Sequence, residues 1–399
     1  MEAYLLDWAN LLVRWLHLIS GIAWIGASFY FVMLDMSLRK PEKARDSERG
    51  VSGESWAVHG GGVYHSQKFL AGPVGEPLSE HLHWSKWEAY TTWMSGIGLL
   101  AIVYWFGANT YLIDPQVKAW SVPQAIGLSF AVLVVSWFVY DGLCRVLGSR
   151  DNLLAAIVFV YILLCDWLLF QLFSARAAYI HVGAIMGTMM AANVFFHIIP
   201  GQKKMVAEIR AGQTPNPRYG AIGKQRSVHN TYFTLPVLFI MISNHYPMTY
   251  GHNQGWIVLG LIMFAGVLIR QFFVLRHINQ QKIWLPAVAI GLLALTFIWL
   301  MPKLSSSNEH ASRVPFQQVQ SIIGQRCVVC HAVQPTQPGF VQPPKGVILE
   351  TGEQIKQHAA MIRQTVQTRY MPIGNLTAMT DDERQTVANW VGQGASITD

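Results

Sequence analysis

Eight stretches of roughly twenty mostly apolar residues, beginning near Trp8, Trp87, Gln124, Leu153, Ala178, Thr231, Gly255 and Ile283, constrain this chain more than any other feature. About 20 apolar residues is the length a helix needs to cross the hydrocarbon core of a bilayer. Backbone polar groups in hydrocarbon must satisfy one another, so each run is expected to be helical. The predicted fold class is therefore all-α, beginning with a polytopic helical membrane domain of about eight transmembrane helices in residues 1–302. Composition agrees, with 52% hydrophobic and only 13% charged residues and 15 Trp. The first run, Trp8 to Leu34, is too long for a signal-peptide core and lacks a small-x-small cleavage site, so it is expected to be retained.

The net charge of +7 raises the question of nucleic acid. Its distribution answers differently. Arg39, Lys40, Lys43, Arg45, Arg49 and Lys68 follow the first run, Arg145 and Arg150 the third, Lys203, Lys204, Arg210, Arg218, Lys224 and Arg226 the fifth, and Arg276 and Lys282 the seventh. The alternate loops carry little beyond Lys118 and Arg176. This is the positive-inside pattern, so the basic loops are expected in the cytoplasm, both termini outside, and no nucleic-acid partner. The first basic loop, about residues 36–86, is too long for a plain connector; its Gly60-Gly61-Gly62 cluster, flanked by His59 and His65, predicts an ordered, functional segment. From Pro302 to Arg313 the chain turns polar, with Ser305, Ser306, Ser307 and Asn308. Residues 303–313 are the expected linker to a second domain, 314–399.

Of the four cysteines, Cys144 and Cys165 sit in apolar runs where a thiol packs as a small hydrophobe. Cys327 and Cys330 precede His331 in C-x-x-C-H spacing. Two thiols one helical turn apart add to haem vinyl groups, and the histidine supplies an iron ligand; the alternatives, a redox dithiol or half a zinc site, need a context absent from the sequence. Residues 314–399 are accordingly expected to be a small class I cytochrome c domain with one covalent haem c. Met361, Met371 and Met379 are the sulfurs available as sixth ligand. Met371, in Arg369-Tyr370-Met371-Pro372, is preferred; Met361 is expected on the apolar stripe of a helix, packed in the core. Thr380 and Glu383 have capping-box spacing at the final helix, and Trp390 lies on its apolar face. First and last helices are expected to cross. Haem is attached to c-type cytochromes outside the bacterial cytoplasm, which agrees with the loop charges: the chain is expected in the bacterial inner membrane, with its cytochrome c domain in the periplasm.

Ionisable groups within a span are costly and draw a functional reading. His17, His181 and His245 fall in the outer half of their runs, and a pair of imidazoles from different helices is what one or two non-covalent haems b require. Interfacial histidines also hydrogen-bond headgroups, water or carbonyls. His197 and His229 lie on the cytoplasmic side, with His59, His65, His81 and His83. Arg14, Asp35, Asp141, Asp166, Asn193 and Arg270 are the other polar groups within the runs; Asp166 and Asn193, farthest from basic loops, are expected to pair or to line a cavity. Gly183 and Gly187, in G-x-x-x-G spacing, are expected to serve helix packing.

Arg14-Trp15-Leu16-His17, Ala23-Trp24-Ile25-Gly26, His59-Gly60-Gly61-Gly62-Val63-Tyr64-His65 and Lys86-Trp87-Glu88-Ala89-Tyr90 resemble segments of the bacterial membrane-bound urate oxidases, also called urate hydroxylases. So do Tyr140-Asp141-Gly142-Leu143-Cys144-Arg145, residues 181–204, and residues 224–247 ending in Ser243-Asn244-His245-Tyr246-Pro247. The resemblance implies oxidation of urate to 5-hydroxyisourate without peroxide, electrons leaving through the fused cytochrome c toward a periplasmic cytochrome c or a terminal oxidase. Urate is an electron-rich anion, so cationic and amide donors should hold it. Arg14, Asn193, Asn230 and Arg226 are the candidate contacts, and His229 or His65 the candidate base for the water that adds at C5. Without the resemblance, a quinol-to-cytochrome electron-transfer protein or a transporter with a redox-sensing cytochrome fits the same features.

Overall fold

The computed structural model describes residues 1–148, 150–301, 313–338 and 340–398, without the side chains of residues 2 and 3. The expected linker, 303–313, lies outside the described residues except for Arg313.

Each apolar run is helical. They form α1 (Glu2–Ser37), α2 (Trp87–Leu99), α3 (Val122–Leu147), α4 (Asp151–Phe170), α5 (Ala175–Ala192), α6 (Ile199–Arg210), α7 (Pro217–Ser243), α8 (Gly255–His277) and α9 (Trp284–Trp299), with α5 and α6 together occupying the fifth run. Five stretches, Tyr4–Ser37, Val122–Leu147, Asp151–Phe170, Ala175–Arg210 and Gly255–His277, are long and apolar enough to cross a membrane. The other three depart for visible reasons. α2 loosens into a π-helical turn at Leu100–Trp105, α9 has 16 residues, and α7 carries a polar N-terminal half. α7 begins at Pro217, more than three turns before the expected start near Thr231. Arg226, His229 and Asn230 are thus buried helical residues and not loop residues. Pro217 at the first helical position, with the Asn216 side chain accepting from the Arg218 N–H, sets that start.

α5 is the central helix. Tyr179, His181, Val182, Ile185, Met186 and Met189 are all buried, packed against α3, α4 and α7. Gly183 lies against Ile240 of α7, where a Cβ would collide with the side chain, as the packing reading expected; Gly187 faces open space. On the bundle's outer surface large apolar side chains are exposed, among them Leu12 and Ile22 of α1, Phe138 of α3, Leu164 of α4 and Phe297 of α9. Water does not tolerate such a continuous apolar belt.

The all-α expectation needs one correction. The loop between α1 and α2 contains an antiparallel hairpin, β1 (Val51–His59) and β2 (Gly62–Phe69). Gly60 and Gly61 form its two-residue turn at φ of 58° and 81°, conformations that a side chain resists. The glycine cluster is therefore a turn, with Trp56 and Val58 before it and Val63 and Tyr64 after it exposed on the strands. The backbone of Arg39 pairs with Glu54, and Lys68 pairs with Asp35, so the hairpin is tied to the end of α1.

The C-terminal domain is built from α10 (Phe316–Arg326), α11 (Gly352–Gln357), α12 (Ala359–Gln367) and α13 (Asp381–Gly392). α10 and α13 pack together, with Phe316 and Trp390 ring centroids 5.7 Å apart. The Thr380–Glu383 capping box forms as expected, and Arg326 of α10 grips the same Glu383 at 2.9 Å. That link ties the first helix of the domain to the last. The methionine expectation is half overturned: Met361 is 43% exposed, whereas Met379 is buried in the core with Val319, Ile323 and Trp390.

This domain rests on the helical bundle through backbone-to-backbone approach. A Cβ on Gly374, which has φ of 57°, would meet the Thr110 carbonyl oxygen, and one on Gly251 would meet that of Thr368. Gly374→Ala combines this collision with a left-handed conformation that costs about 1–3 kcal/mol. Amide exchange at residues 108–113 and 368–375 is expected to accelerate about tenfold or more, since 1.4 kcal/mol is a factor of ten, while α13 stays protected. Unchanged exchange at both segments would show that this contact does not hold the domains together.

Candidate functional site

Within the bundle, three elements bring polar side chains to one place. α3 contributes Tyr140, Asp141, Cys144 and Arg145, spaced so that each pair recurs one turn on. α7 contributes Arg226, His229 and Asn230 at i, i+3 and i+4. Between α5 and α6, Asn193–Ile198 is a π-helical turn. Its extra residue shifts the helical phase and brings Asn193 and His197 toward the other two helices; such turns recur at functional sites.

Asp141 is the anionic centre. Its carboxylate accepts from Arg226 Nη2 at 2.6 Å, His197 Nε2 at 2.7 Å and Arg145 Nε at 2.7 Å. Asn193 donates to the Tyr140 hydroxyl and to Asn230 Oδ1, both at 2.9 Å, and its own oxygen accepts from Arg226 Nη1 at 3.3 Å. Because Tyr140 accepts from Asn193, its single proton goes to His229 Nδ1, 2.8 Å away, and the neutral imidazole carries its hydrogen on Nε2. Cys144 Sγ lies 3.8 Å from the same Nδ1. Asn230 is held by the Met190 carbonyl at 3.1 Å, and the Arg226 guanidinium stacks 5.1 Å from the Tyr140 ring centre. Asn193 is fully buried and Arg226 nearly so, and Arg226 Nε has no acceptor. A buried guanidinium N–H without a partner is costly, which makes it a contact waiting for an anion or a carbonyl.

Four of the six residues expected to act on substrate, Arg226, Asn193, Asn230 and His229, therefore meet in one network. The other two stand elsewhere. Arg14 is exposed on α1 and bonds to Asn10 at 2.8 Å. His65 lies on the hairpin, stacked 4.0 Å from Trp56 and bonded to Glu54 at 2.9 Å. Sequence reasoning missed the part played by Tyr140 and Cys144, and named Asp141 and His197 without joining them to Arg226. The available signal was that all lie at the ends of their runs that adjoin the basic loops. The expected pairing of Asp166 with Asn193 does not occur. Asn193 is in the network, while Asp166 is buried on α4 with neither oxygen bonded.

His17, His181 and His245 each have different surroundings. His17 Nδ1 lies 3.0 Å from the Thr92 carbonyl and 3.1 Å from Ser95 Oγ, its ring accommodated by the missing side chain of Gly96. His181 donates from Nδ1 to the Ala177 carbonyl at 2.8 Å, and its Nε2 accepts from the Ser129 hydroxyl at 2.6 Å. With both nitrogens engaged it has none to give to iron. His245 is exposed at the end of α7. These residues do not fit a bis-histidine haem b as arranged. Among the described residues no group of three His, Cys, Asp or Glu is placed to hold a metal ion.

In the C-terminal domain, Cys327 and Cys330 are free and half-buried just after α10, and the His331 N–H bonds to the Cys327 carbonyl at 2.9 Å, so all three lie on one turn. His331 Nδ1 donates to the Val347 carbonyl at 2.9 Å. This fixes the ring and leaves Nε2 as the basic nitrogen, the usual arrangement for an imidazole that binds a metal. The donor set fits a covalently attached haem.

The architecture defines a class: a multi-helix apolar bundle with a buried Arg–Asp–His–Tyr–Asn network, followed by a small helical domain. The family model of the urate oxidase N-terminal domain matches residues 3–301, and the chain belongs to that family. Membership points to a urate-related oxidoreductase. No curated protein matches the chain, and no solved structure does.

Proposed function

We propose that this chain is a membrane-bound urate oxidase in which the buried network binds urate and the C-terminal domain carries away the electrons. The observation that supports it most is the convergence of Arg226, Asn193, Asn230 and His229, with a buried guanidinium N–H left open. The reaction is urate plus water giving 5-hydroxyisourate, two protons and two electrons. Arg226 meets the anionic edge of the purine, held in place by Asp141 and by the face of Tyr140. Asn193, with both amide N–H groups engaged, orients Tyr140 and Asn230, and Asn230 keeps one N–H beyond its bond to Met190 for a urate carbonyl. Tyr140 and His229 move the proton: as water adds at C5 its proton passes to the Tyr140 oxygen while the Tyr140 proton passes to His229 Nδ1. Asp141, paired with Arg226, offsets the guanidinium charge near which His229 becomes an imidazolium in that step.

Cys327 and Cys330 would hold the haem by thioether bonds and His331 and Met371 would ligate its iron. When bound, the group supplies a one-electron acceptor from which electrons reach a periplasmic cytochrome c or terminal oxidase. The eight helical runs cross the bacterial inner membrane with both termini in the periplasm, as the alternation of basic loops supports.

The decisive experiment is anaerobic. Urate added to the oxidised, detergent-purified protein is expected to reduce the c-type absorption bands within the turnover time. An unchanged spectrum with urate, alongside reduction by a quinol, would replace this reading with that of a quinol-to-cytochrome electron-transfer protein.

A further inference from the structure

At the opposite end of the bundle from that network, a cavity of about 320 Å³ lies between the two domains. It is within the size range of small-ligand pockets. Its charge is unusual. Arg176, in the first turn of α5, reaches it from the membrane domain, and Arg369 and Arg384 reach it from the C-terminal domain. Arg369 is neutralised by Asp381 at 2.6 Å, but neither Arg176 nor Arg384 has an ion-pair partner among the described residues. Arg384 is 7% exposed and donates only to neutral acceptors, the Val366 and Met371 carbonyls and Asn375 Oδ1, at 2.9, 2.6 and 2.9 Å. Among the described residues Asp114 is the single carboxylate on the cavity wall, and burial pushes its pKa up, weakening it as a counter-ion.

Two further features point to a ligand. Tyr250, which lines the cavity, is 4% exposed and its hydroxyl has no hydrogen-bond partner among the described residues. The N-terminus of the 18-residue helix α5 also opens onto the cavity at Ser174–Arg176, adding its partial positive charge. Phe170 and Phe173 supply flat apolar wall. Guanidiniums, a helix N-terminus, an orphan phenol and aromatic faces together suit a planar anion rich in exocyclic oxygens.

We propose that this cavity is a second site for a purine anion of the urate class, whose occupant bridges the membrane domain to the C-terminal domain. The choice of urate rests on the function proposed above; the anion-binding character of the cavity does not. The site lies against the Met371-bearing loop, so occupancy fixes the C-terminal domain in its docked position when substrate is abundant.

Equilibrium dialysis with labelled urate tests this on the full-length protein, held chemically reduced so that urate is not consumed. Two urates per chain are expected. Arg176→Gln should weaken one class of site tenfold or more and leave the other unchanged, and Arg226→Gln should do the converse. Tyr250→Phe removes a hydroxyl that bonds to nothing, so it should not unfold the protein, yet it should weaken the first class severalfold. A single site untouched by Arg176→Gln and Tyr250→Phe overturns the cavity. A single site lost in Arg176→Gln and kept in Arg226→Gln upholds the cavity and overturns the network as substrate site. Displacement of urate from the Arg176-dependent class by equimolar inorganic phosphate overturns the purine assignment.

Discussion

Arg226→Gln is expected to lower urate turnover by a factor of about 10² to 10³, with the loss persisting at saturating urate. Removing one partner of a buried ion pair costs about 3–5 kcal/mol because the other charge is left uncompensated. Here Asp141 would keep His197 and Arg145 but lose its shortest donor, at 2.6 Å. Asn193 would lose the contact at 3.3 Å that orients its amide toward Tyr140 and Asn230. Stability and catalysis separate in the double variant. Asp141→Asn with Arg226→Gln removes both charges and should regain most of the thermal stability while staying inactive. If the double variant regains stability and activity together, the network is a structural one and urate is bound elsewhere. Tyr140→Phe gives a finer reading: it removes the proton path to His229 while keeping the ring beneath Arg226, so kcat should fall with little change in KM.

Changing Cys327 and Cys330 together to serine is expected to abolish the c-type absorption bands and to reduce electron flow from urate to less than about 1% of the parent rate, because no other attachment chemistry is present. The helical bundle should survive, since the core of the C-terminal domain, with Val319, Ile323 and Trp390, is a separate cluster from that of the bundle. Urate binding measured by dialysis should therefore remain. Persistence of a full rate would mean that electrons leave the bundle by another route. The methionines give a companion test. Met371→Ala should leave the haem attached but alter its potential, whereas Met379→Ala, in a packed core, should cost about 2–5 kcal/mol of stability with the potential unchanged. The reverse result would transfer the ligand role to Met379.

The helical bundle was legible because hydrophobic length is a one-dimensional property: all eight runs could be counted without knowing what touched what. The same signal misplaced the start of α7. Its first half is polar, and periodicity alone reads a polar stretch beside basic residues as loop; burial against the π-helical turn between α5 and α6 is what keeps Arg226 and His229 in a helix. The segment around Gly60-Gly61-Gly62 is ordered, but its strands are not legible in the sequence because apolar and polar residues come in runs there and do not alternate with a period of two. Met361 was misjudged for a related reason: one apolar residue on a short helix cannot be assigned to the buried or the open side from spacing alone.

Local chemistry and composition determined the apolar runs, the C-x-x-C-H turn and the Thr380–Glu383 cap. These depend on neighbours within a few positions, or on nothing but length. Tertiary structure alone decided which polar residues act together. Arg226 meets Asp141 across 85 positions and His229 meets Tyr140 across 89, while Arg14 and His65, equally plausible by type, stand apart. The interdomain cavity belongs wholly to this second category: Arg176 and Arg384 are cations of no special note until two glycine contacts bring their domains together around it, where neither has an ion-pair partner among the described residues. Charge compensation and hydrogen-bond satisfaction are properties of a packed neighbourhood, and a neighbourhood exists only once the chain has folded.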